Sequence, residues 1–565
     1  MFKVVAVMTG LMLASAVQGQ MPHEVLLLVN RQSQPSLKVA NTYVATRGIP
    51  QRNIIYLDIP ERIYGGTATI SPADFTKLIW EPACKAAGER GIDQQILAWV
   101  YSVDFPIRVK TDDNDRRQMS VLGLTFLRNQ VPDLDDVENG TYLSKLFAGP
   151  SARFQQILPS LSFRLYRDGV GPENDLPEEI RYLEEGLGDD MPLPSMMLGY
   201  IGEKGNDVET VLETIKQGAR SDFRGLRDGI YFVTGDDVRS TCREWEFQPA
   251  VDELKERQIT ATVTTNFPAG KQNVLGLMMG AETVDPALIG SFAPGAMAEH
   301  LTSWSAEFQR PQTKMTAWLK AGATATAGSV VEPYSNSDKF PAARFFYHYT
   351  SGCTMLESFY QSIACPLQIL LLGDPLARPY GPRISVRILG ADTIEDDFTY
   401  VAKASSRITD LDYDYDFLLD GKPFKSTSDK ASAWIPVNSI SDGYHALRAI
   451  AKVRFTVEFG SSLDKDIMVE RTGRSIEIDA SRIAKAGEHK NTLGVKLGGE
   501  EQPVTVRLVC GEMVLDEKPY EEGVALELDE LLIGEGPNRI QAIAVYDDGM
   551  QVAGPPLGIT ITFAK

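Results

Sequence analysis

The first two thirds of the chain alternate short, wholly apolar runs with longer segments whose apolar positions recur at helical spacing. Val25 to Val29 is apolar throughout, as a strand buried on both faces must be. A helix is predicted from about Pro35 to Thr46, with Gly48 and Pro50 as its stop signals. Strands follow at Asn53 to Leu57 and Ile96 to Val103, separated by a helix over Ser71 to Ala87. The alternation resumes with a strand at Met196 to Ile201. Val208, Val211, Leu212 and Ile215 then mark one face of a helix, with Asn206 as its cap and Glu209 reaching back. Strands at Ile230 to Thr234, Thr260 to Thr264 and Val274 to Met279 surround a helix that runs through Leu254. A helix is expected over Gly295 to Trp304, and the strand Ala323 to Val331 completes the core.

Past Pro382 the pattern changes to short alternating strands with turn residues between them. Ile384 to Leu389, Tyr413 to Leu419 and Ala446 to Phe455 suggest one β-sandwich; Val504 to Val509, Val524 to Leu528 and Ile540 to Tyr546 suggest another. The pattern therefore predicts a three-layer α/β domain with a mostly parallel sheet, followed by two C-terminal Ig-like β-sandwiches. The expected boundaries are 20–382 for the α/β domain, with an irregular insertion at about 110–194, then 383–475 and 476–565.

A chain of 565 residues is too long for one core, which agrees with that division. Lys3, the apolar run from Val4 to Val17 and the small residues near Gly19 read as a signal peptide over 1–19. Its apolar core is too short to span a bilayer comfortably, so no transmembrane segment is expected in the mature chain. Export to the periplasm, the cell surface or the medium follows. A net charge of −20 argues against nucleic acid as a partner. Cys84, Cys242, Cys353, Cys365 and Cys510 form no CxxC pair, which excludes a zinc ribbon or redox motif. Cys353 and Cys365 are close enough for a local disulfide, or are two buried free thiols.

Two stretches carry more than a fold class. Gly322-Ala323-Thr324-Ala325-Thr326-Ala327-Gly328-Ser329-Val330-Val331-Glu332-Pro333-Tyr334 is a buried strand ending at a shaped loop, and Leu372-Gly373-Asp374-Pro375-Leu376 follows downstream. With Gly48 to Pro50 and Pro294 to Ser303, they resemble a family of secreted bacterial proteins that is itself similar to gingipain-type cysteine peptidases of caspase-like fold. The resemblance covers roughly Glu24 to Pro382. It implies a caspase-like α/β domain with a His-Gly step after one strand supplying the base and a Cys ending the next strand supplying the nucleophile.

This chain departs from that pattern. Val274 to Met279 runs into Gly280-Ala281-Glu282-Thr283, where neither His nor Cys occurs. His300 precedes Cys353 in the required order, but both fall in predicted helices, away from a strand-end crevice. The other polar candidates at strand ends are Asp104, Glu282, Ser303, Ser305 and Glu332, with Tyr334 as a ligand-binding residue. Two carboxylates in one cleft could divide acid and base work or share a cation. No GxSxG elbow supports a serine nucleophile, and Gly202 to Asp207 lacks the spacing of a phosphate cradle. Gly373-Asp374-Pro375 reads as a structural turn.

No cofactor is evident, and calcium alone remains open. Asp410, Asp412, Asp414 and Asp416 alternate with Leu411, Tyr413, Tyr415 and Phe417, placing four carboxylates on one strand face. Either calcium or an exposed strand that resists edge pairing accommodates them. The leading functional expectation is an exported, catalytically altered relative of cysteine peptidases that binds or scaffolds a protein or polysaccharide at the cell surface. A hydrolase built on the strand-end carboxylates and Ser303, and an adhesion module working through the sandwiches, are the alternatives.

Overall fold

The computed structural model describes residues 21–148, 192–424, 431–454 and 458–563. The expected signal peptide and residues 149–191 of the expected insertion lie outside the described residues.

A ten-stranded sheet forms the α/β core. Its strands are β1 (Val25–Asn30), β2 (Ile54–Leu57), β3 (Ala98–Tyr101), β4 (Ser195–Met197), β5 (Ile230–Val233), β6 (Ala261–Thr264), β7 (Val274–Gly280), β8 (Phe292–Leu301), β9 (Ala325–Ser329) and β10 (Ile369–Gly373). They lie in the order β2-β1-β3-β4-β10-β9-β8-β7-β5-β6, and the sheet is mostly parallel. β10 runs antiparallel to β9, with Ala325 opposite Gly373. Both faces are covered, which is why the β1 run shows no alternation. Val25, Leu27 and Val29 enter one apolar cluster, while Leu26 and Leu28 enter another on the opposite face.

Helix α1 (Gln34–Arg47) is capped by Ser33, whose side chain accepts from Ser36 N–H, and ends at Gly48 in the left-handed region at φ 67°. Helix α2 (Val208–Ser221) buries Val211, Leu212 and Ile215 as its spacing predicts. Its cap is Asp207, which accepts from Thr210 N–H at 2.7 Å; Asn206 instead donates to the carbonyl of Thr316 at 2.9 Å.

The segment from Phe292 to Leu301 corrects the sequence reading most sharply. Ala296, Met297, Ala298 and Glu299 suit a helix by propensity, yet they form β8, paired in parallel with β7 from Gly276–Met297 to Gly280–Leu301. Every residue from Gly295 to Leu301 is buried, so packing between β7 and β9 overrides local preference.

The Gly373-Asp374-Pro375 turn anchors a buried charge network. Arg47, ending α1, donates through Nε to Asp374 at 2.9 Å and through Nη1 to Asp222 at 2.7 Å, with all three side chains removed from solvent. Burial pushes the Asp222 carboxyl up to about 6 despite the attraction of Arg47, and the charge of Asp374 adds to the rise.

The β region comprises two sandwiches whose larger sheet is continuous across both, joined where Gly443 pairs with Ala553. A Cβ on Gly443 would stand 2.3 Å from the Ala553 carbonyl, so this close crossing requires glycine. The sandwiches pack directly on the α/β core. Asn41 of α1 donates to the carbonyls of Ile533 (2.8 Å) and Glu535 (2.9 Å), and Arg448 donates to the carbonyl of Gly48 (3.1 Å). Met21 is buried against Leu418 and Ile450, and the Arg378 guanidinium lies 4.3 Å from the Phe459 ring centroid. A cavity of about 260 Å³ remains at this seam, lined by His23, Glu24, Leu97, Asp416 and Phe417 among others.

The four-aspartate strand face does not form as expected. The strand begins at Asp414, Asp410 sits ahead of it at φ 60°, and Asp416 pairs with Lys452 at 2.5 Å. Among the described residues no group of three or more His, Cys, Asp or Glu side chains is placed to hold a metal ion. All five cysteines are free, so Cys353 and Cys365 are two buried thiols rather than a disulfide. No helix of the described residues is long and apolar enough to cross a membrane.

Candidate functional site

The ends of β7 and β8 are adjacent, with Gly280 opposite Leu301, and the resemblance places either base or nucleophile at the end of β7. The chain beyond them supplies other groups. The Thr302 hydroxyl donates to Gln312 Oε1 at 2.7 Å, Ser303 is half-buried, and Glu282 stands exposed. Beyond Ser303, Lys314 ties the loop down by donating to the carbonyls of Trp304 (2.5 Å), Glu307 (3.0 Å) and Pro311 (2.7 Å). Burial, then the nearby charge of Lys204, pushes this ammonium down to about 8.

His300 lies on β8 rather than in a helix, and its ring is buried. Trp318 Nε1–H donates to His300 Nδ1 at 2.9 Å, which leaves the ring proton on Nε2. Burial first, then the charges of Lys314, Arg243 and Arg239, push the imidazole down to about 3. The neighbouring Glu299 pairs with buried Arg243 at 2.7 Å. Cys353 lies elsewhere, in the apolar core shared with Ile384, Tyr400 and Phe459. Its thiol accepts from Gln361 Nε2 at 3.4 Å and is pushed far up by burial and by Glu357. His300 bonds Trp318, which belongs to the apolar cluster of Val233, Leu277 and Met279, whereas Cys353 belongs to a different cluster, so the structure does not bring this pair together.

The strand-end carboxylates also keep separate company. Glu332 is half-buried and accepts from Tyr334 N–H at 3.0 Å, closing a tight turn in which Tyr334 takes φ 56°. The Tyr334 ring is exposed and carries the Arg116 guanidinium 4.9 Å from its centroid. No hydrogen bond or ion pair joins any two of Asp104, Glu282, Ser303 and Glu332. Ser305 is buried under Gly328.

Asp104 alone among them sits in a crowded polar setting. It follows β3 in the left-handed region at φ 59°, a conformation uncommon outside glycine. Buried Asn30, at the end of β1, holds the backbone there by donating from Nδ2 to the Asp104 carbonyl at 3.0 Å. The Ser33 hydroxyl donates to the carboxylate, which burial pushes upward, Ser33 pulls back, and Glu61 raises further. Loops following four strands meet here. Tyr200, after β4, stacks on Phe308, after β8, at 4.0 Å between ring centroids. Arg108 pairs with Glu307, Gln309 donates to the Gly66 carbonyl at 3.2 Å, and the Thr316 hydroxyl donates to the Lys204 carbonyl at 2.7 Å.

Tyr64, Tyr200, Arg108 and Glu307 were not singled out by the sequence. Tyr200 falls inside the strand expected over Met196 to Ile201, whereas the observed strand ends at Met197 and leaves Tyr200 in the loop beyond it. Arg108 and Glu307 are 199 residues apart, and nothing in the sequence pattern pairs them.

No protein-family model matches this chain, and no curated protein does. Among solved structures, the chain is similar to the complex of Porphyromonas gingivalis RgpB pro- and mature domains, at 10% identity over 79% of this chain and 100% of that one, with a TM-score of 0.36. It is similar to a protein described only as a protease, at 12% identity over 79% of this chain and 97% of that one, with a TM-score of 0.38. Fibronectin(III)-like modules of Clostridium thermocellum CbhA match 31% of this chain and 90% of their own at 17% identity and a TM-score of 0.13. Scores this low carry no functional argument.

Proposed function

We propose that this chain is an exported, catalytically altered relative of cysteine peptidases that acts as a binding or scaffold protein at the cell envelope or outside the cell. The observation that carries this reading is the state of its two dyad candidates. A general base must take up a proton near neutral pH, and an imidazole pushed down to about 3 with its Nδ1 held by Trp318 does not. A nucleophilic thiol must ionise and meet substrate, whereas Cys353 is buried and its thiol is driven away from ionisation. The separate settings of Asp104, Glu282, Ser303 and Glu332 weigh against the hydrolase alternative. The packing of both sandwiches on the α/β core favours a scaffold that presents one continuous surface over an adhesion module working through its sandwiches alone.

Thiol alkylation tests this reading. In the native protein iodoacetamide is expected to label exposed Cys84, with Cys353 labelled only after unfolding, as read by peptide mass spectrometry. Labelling of native Cys353 as fast as Cys84 would overturn it.

A further inference from the structure

We propose that β6, the free edge of the ten-stranded sheet, pairs antiparallel with β6 of a second copy of this chain, so that one sheet runs through a twofold dimer.

The phase of the β5–β6 ladder defines the surface. Thr234 N–H donates to the Thr264 carbonyl at 2.9 Å, and the two strands are parallel with Phe232 beside Val263. Thr262 and Thr264 therefore turn their N–H and C=O groups to β5, while Ala261 and Val263 turn theirs outward. Among the described residues β6 has β5 as its one neighbour in the sheet, and Thr262 and Val263 are exposed. A row of outward backbone groups is completed by another strand, and native edges usually carry a lysine, a proline or a bulge that prevents it. Ala261-Thr262-Val263-Thr264 carries none of these and is β-branched after its first residue, which suits pairing on either side.

The opposite edge of this sheet is covered. Arg90 Nη1 donates to the Ile54 carbonyl at 2.6 Å, and Arg52, just ahead of β2, pairs with Glu512 of the second sandwich at 3.3 Å. A sheet with one open edge adds one neighbour, so the pairing closes at two copies and does not grow into a filament.

Charge selects the occupant. From Gln258 to Gly270 there is no charged side chain, in a chain of net charge −20. Two copies can therefore meet along this strip without like charges face to face, and the strip offers nothing to attract an acidic or a basic peptide. Self-pairing also fits the ladder phase. Setting Val263 opposite its counterpart puts both in one hydrogen-bonded pair that exchanges two N–H···O=C bonds, and sets Thr262 against Thr264 on the adjacent rungs.

Sedimentation equilibrium of the purified protein from about 1 to about 100 µM tests the inference. A monomer–dimer equilibrium is expected within that range. Val263→Pro removes an N–H that points away from β5, so the β5–β6 ladder survives, and dimerisation should weaken by about tenfold or more. Val263→Lys, a guard of the kind native edges use, should weaken it similarly, and unchanged thermal unfolding identifies the variants that keep the fold. In the parent, hydrogen exchange at the Ala261 and Val263 amides should slow as concentration rises over the same range. Four outcomes overturn the interface: the parent stays monomeric at the highest concentration, assembly continues past the dimer, a correctly folded variant dimerises as tightly as the parent, or the two amides exchange equally fast throughout.

Discussion

Replacing Arg47 with methionine is expected to destabilise the fold by about 3–5 kcal/mol, because it strands two buried carboxylates without their shared cation. Methionine refills much of the aliphatic volume, so the loss is mainly electrostatic. Arg47 ties the end of α1 to Asp222, after α2, and to Asp374, after β10, and thus joins three elements that meet nowhere in the sequence. In the variant, Asp222 and Asp374 face each other across a dry gap, and their protonated forms become favoured further. The folded state then binds protons that the unfolded chain releases above its ordinary carboxylate range. Stability therefore rises as pH falls, and the deficit should be smaller at pH 5 than at pH 8. Asp374→Asn keeps an acceptor for Arg47 and should lose less, about 1–3 kcal/mol. Urea unfolding of both variants at the two pH values checks the order and the sign. A deficit for Arg47→Met that grows on acidification would contradict this view of the network.

Acidification should destabilise the parent protein through His348 by about 2 kcal/mol between pH 7.5 and pH 5. The ring is buried, neither ring nitrogen has a partner among the described residues, and burial with the charges of Arg344 and Arg257 pushes it down to about 3. The sign follows from the direction of the shift. The unfolded chain takes up a proton as pH falls through about 6.5, whereas the folded state does not until about 3. Stability held above the ordinary histidine range is thus lost progressively below it. Raised carboxyls work in the opposite sense, notably Asp222 and Glu246, the latter pushed by burial to about 7. The total pH dependence mixes both, so the informative quantity is the difference between parent and His348→Leu. The variant should lose about 2 kcal/mol less than the parent over this interval, measured by denaturant unfolding at each pH. Equal losses would show that His348 is already charged, or solvated, in the folded state.

The strands most legible in the sequence are those whose environment is uniform. The Val25 to Val29 run could only be buried on both faces, and Gly48 marked the end of α1 because the left-handed turn there favours glycine. β8 was illegible for the converse reason: Ala296 to Glu299 carry helical preference, and only pairing with β7 and β9 makes them a strand. The same helical preference places His300 on a helix by sequence, whereas strand pairing sets it on β8. The exchange of cap between Asn206 and Asp207 is a smaller case, decided by the distant Thr316 carbonyl. At the site, the absence of His and Cys after Val274 to Met279 could be read directly. The stacking of Tyr200 on Phe308 and the pairing of Arg108 with Glu307 could not, because they depend on loops after β3, β4 and β8 meeting beyond the strand ends. Backbone outliers such as Asp104 at φ 59° leave no mark in composition either.

Hydrolysis of a mixed-sequence peptide library by the purified protein, beside Cys353→Ala and His300→Gln, tests most directly whether this peptidase-like architecture has lost peptidase chemistry. No cleavage above the buffer blank is expected from any of the three, with or without thiol reductant. Cleavage by the parent protein that disappears in Cys353→Ala would contradict the central claim, because it would require a thiol held in this core to ionise and reach substrate.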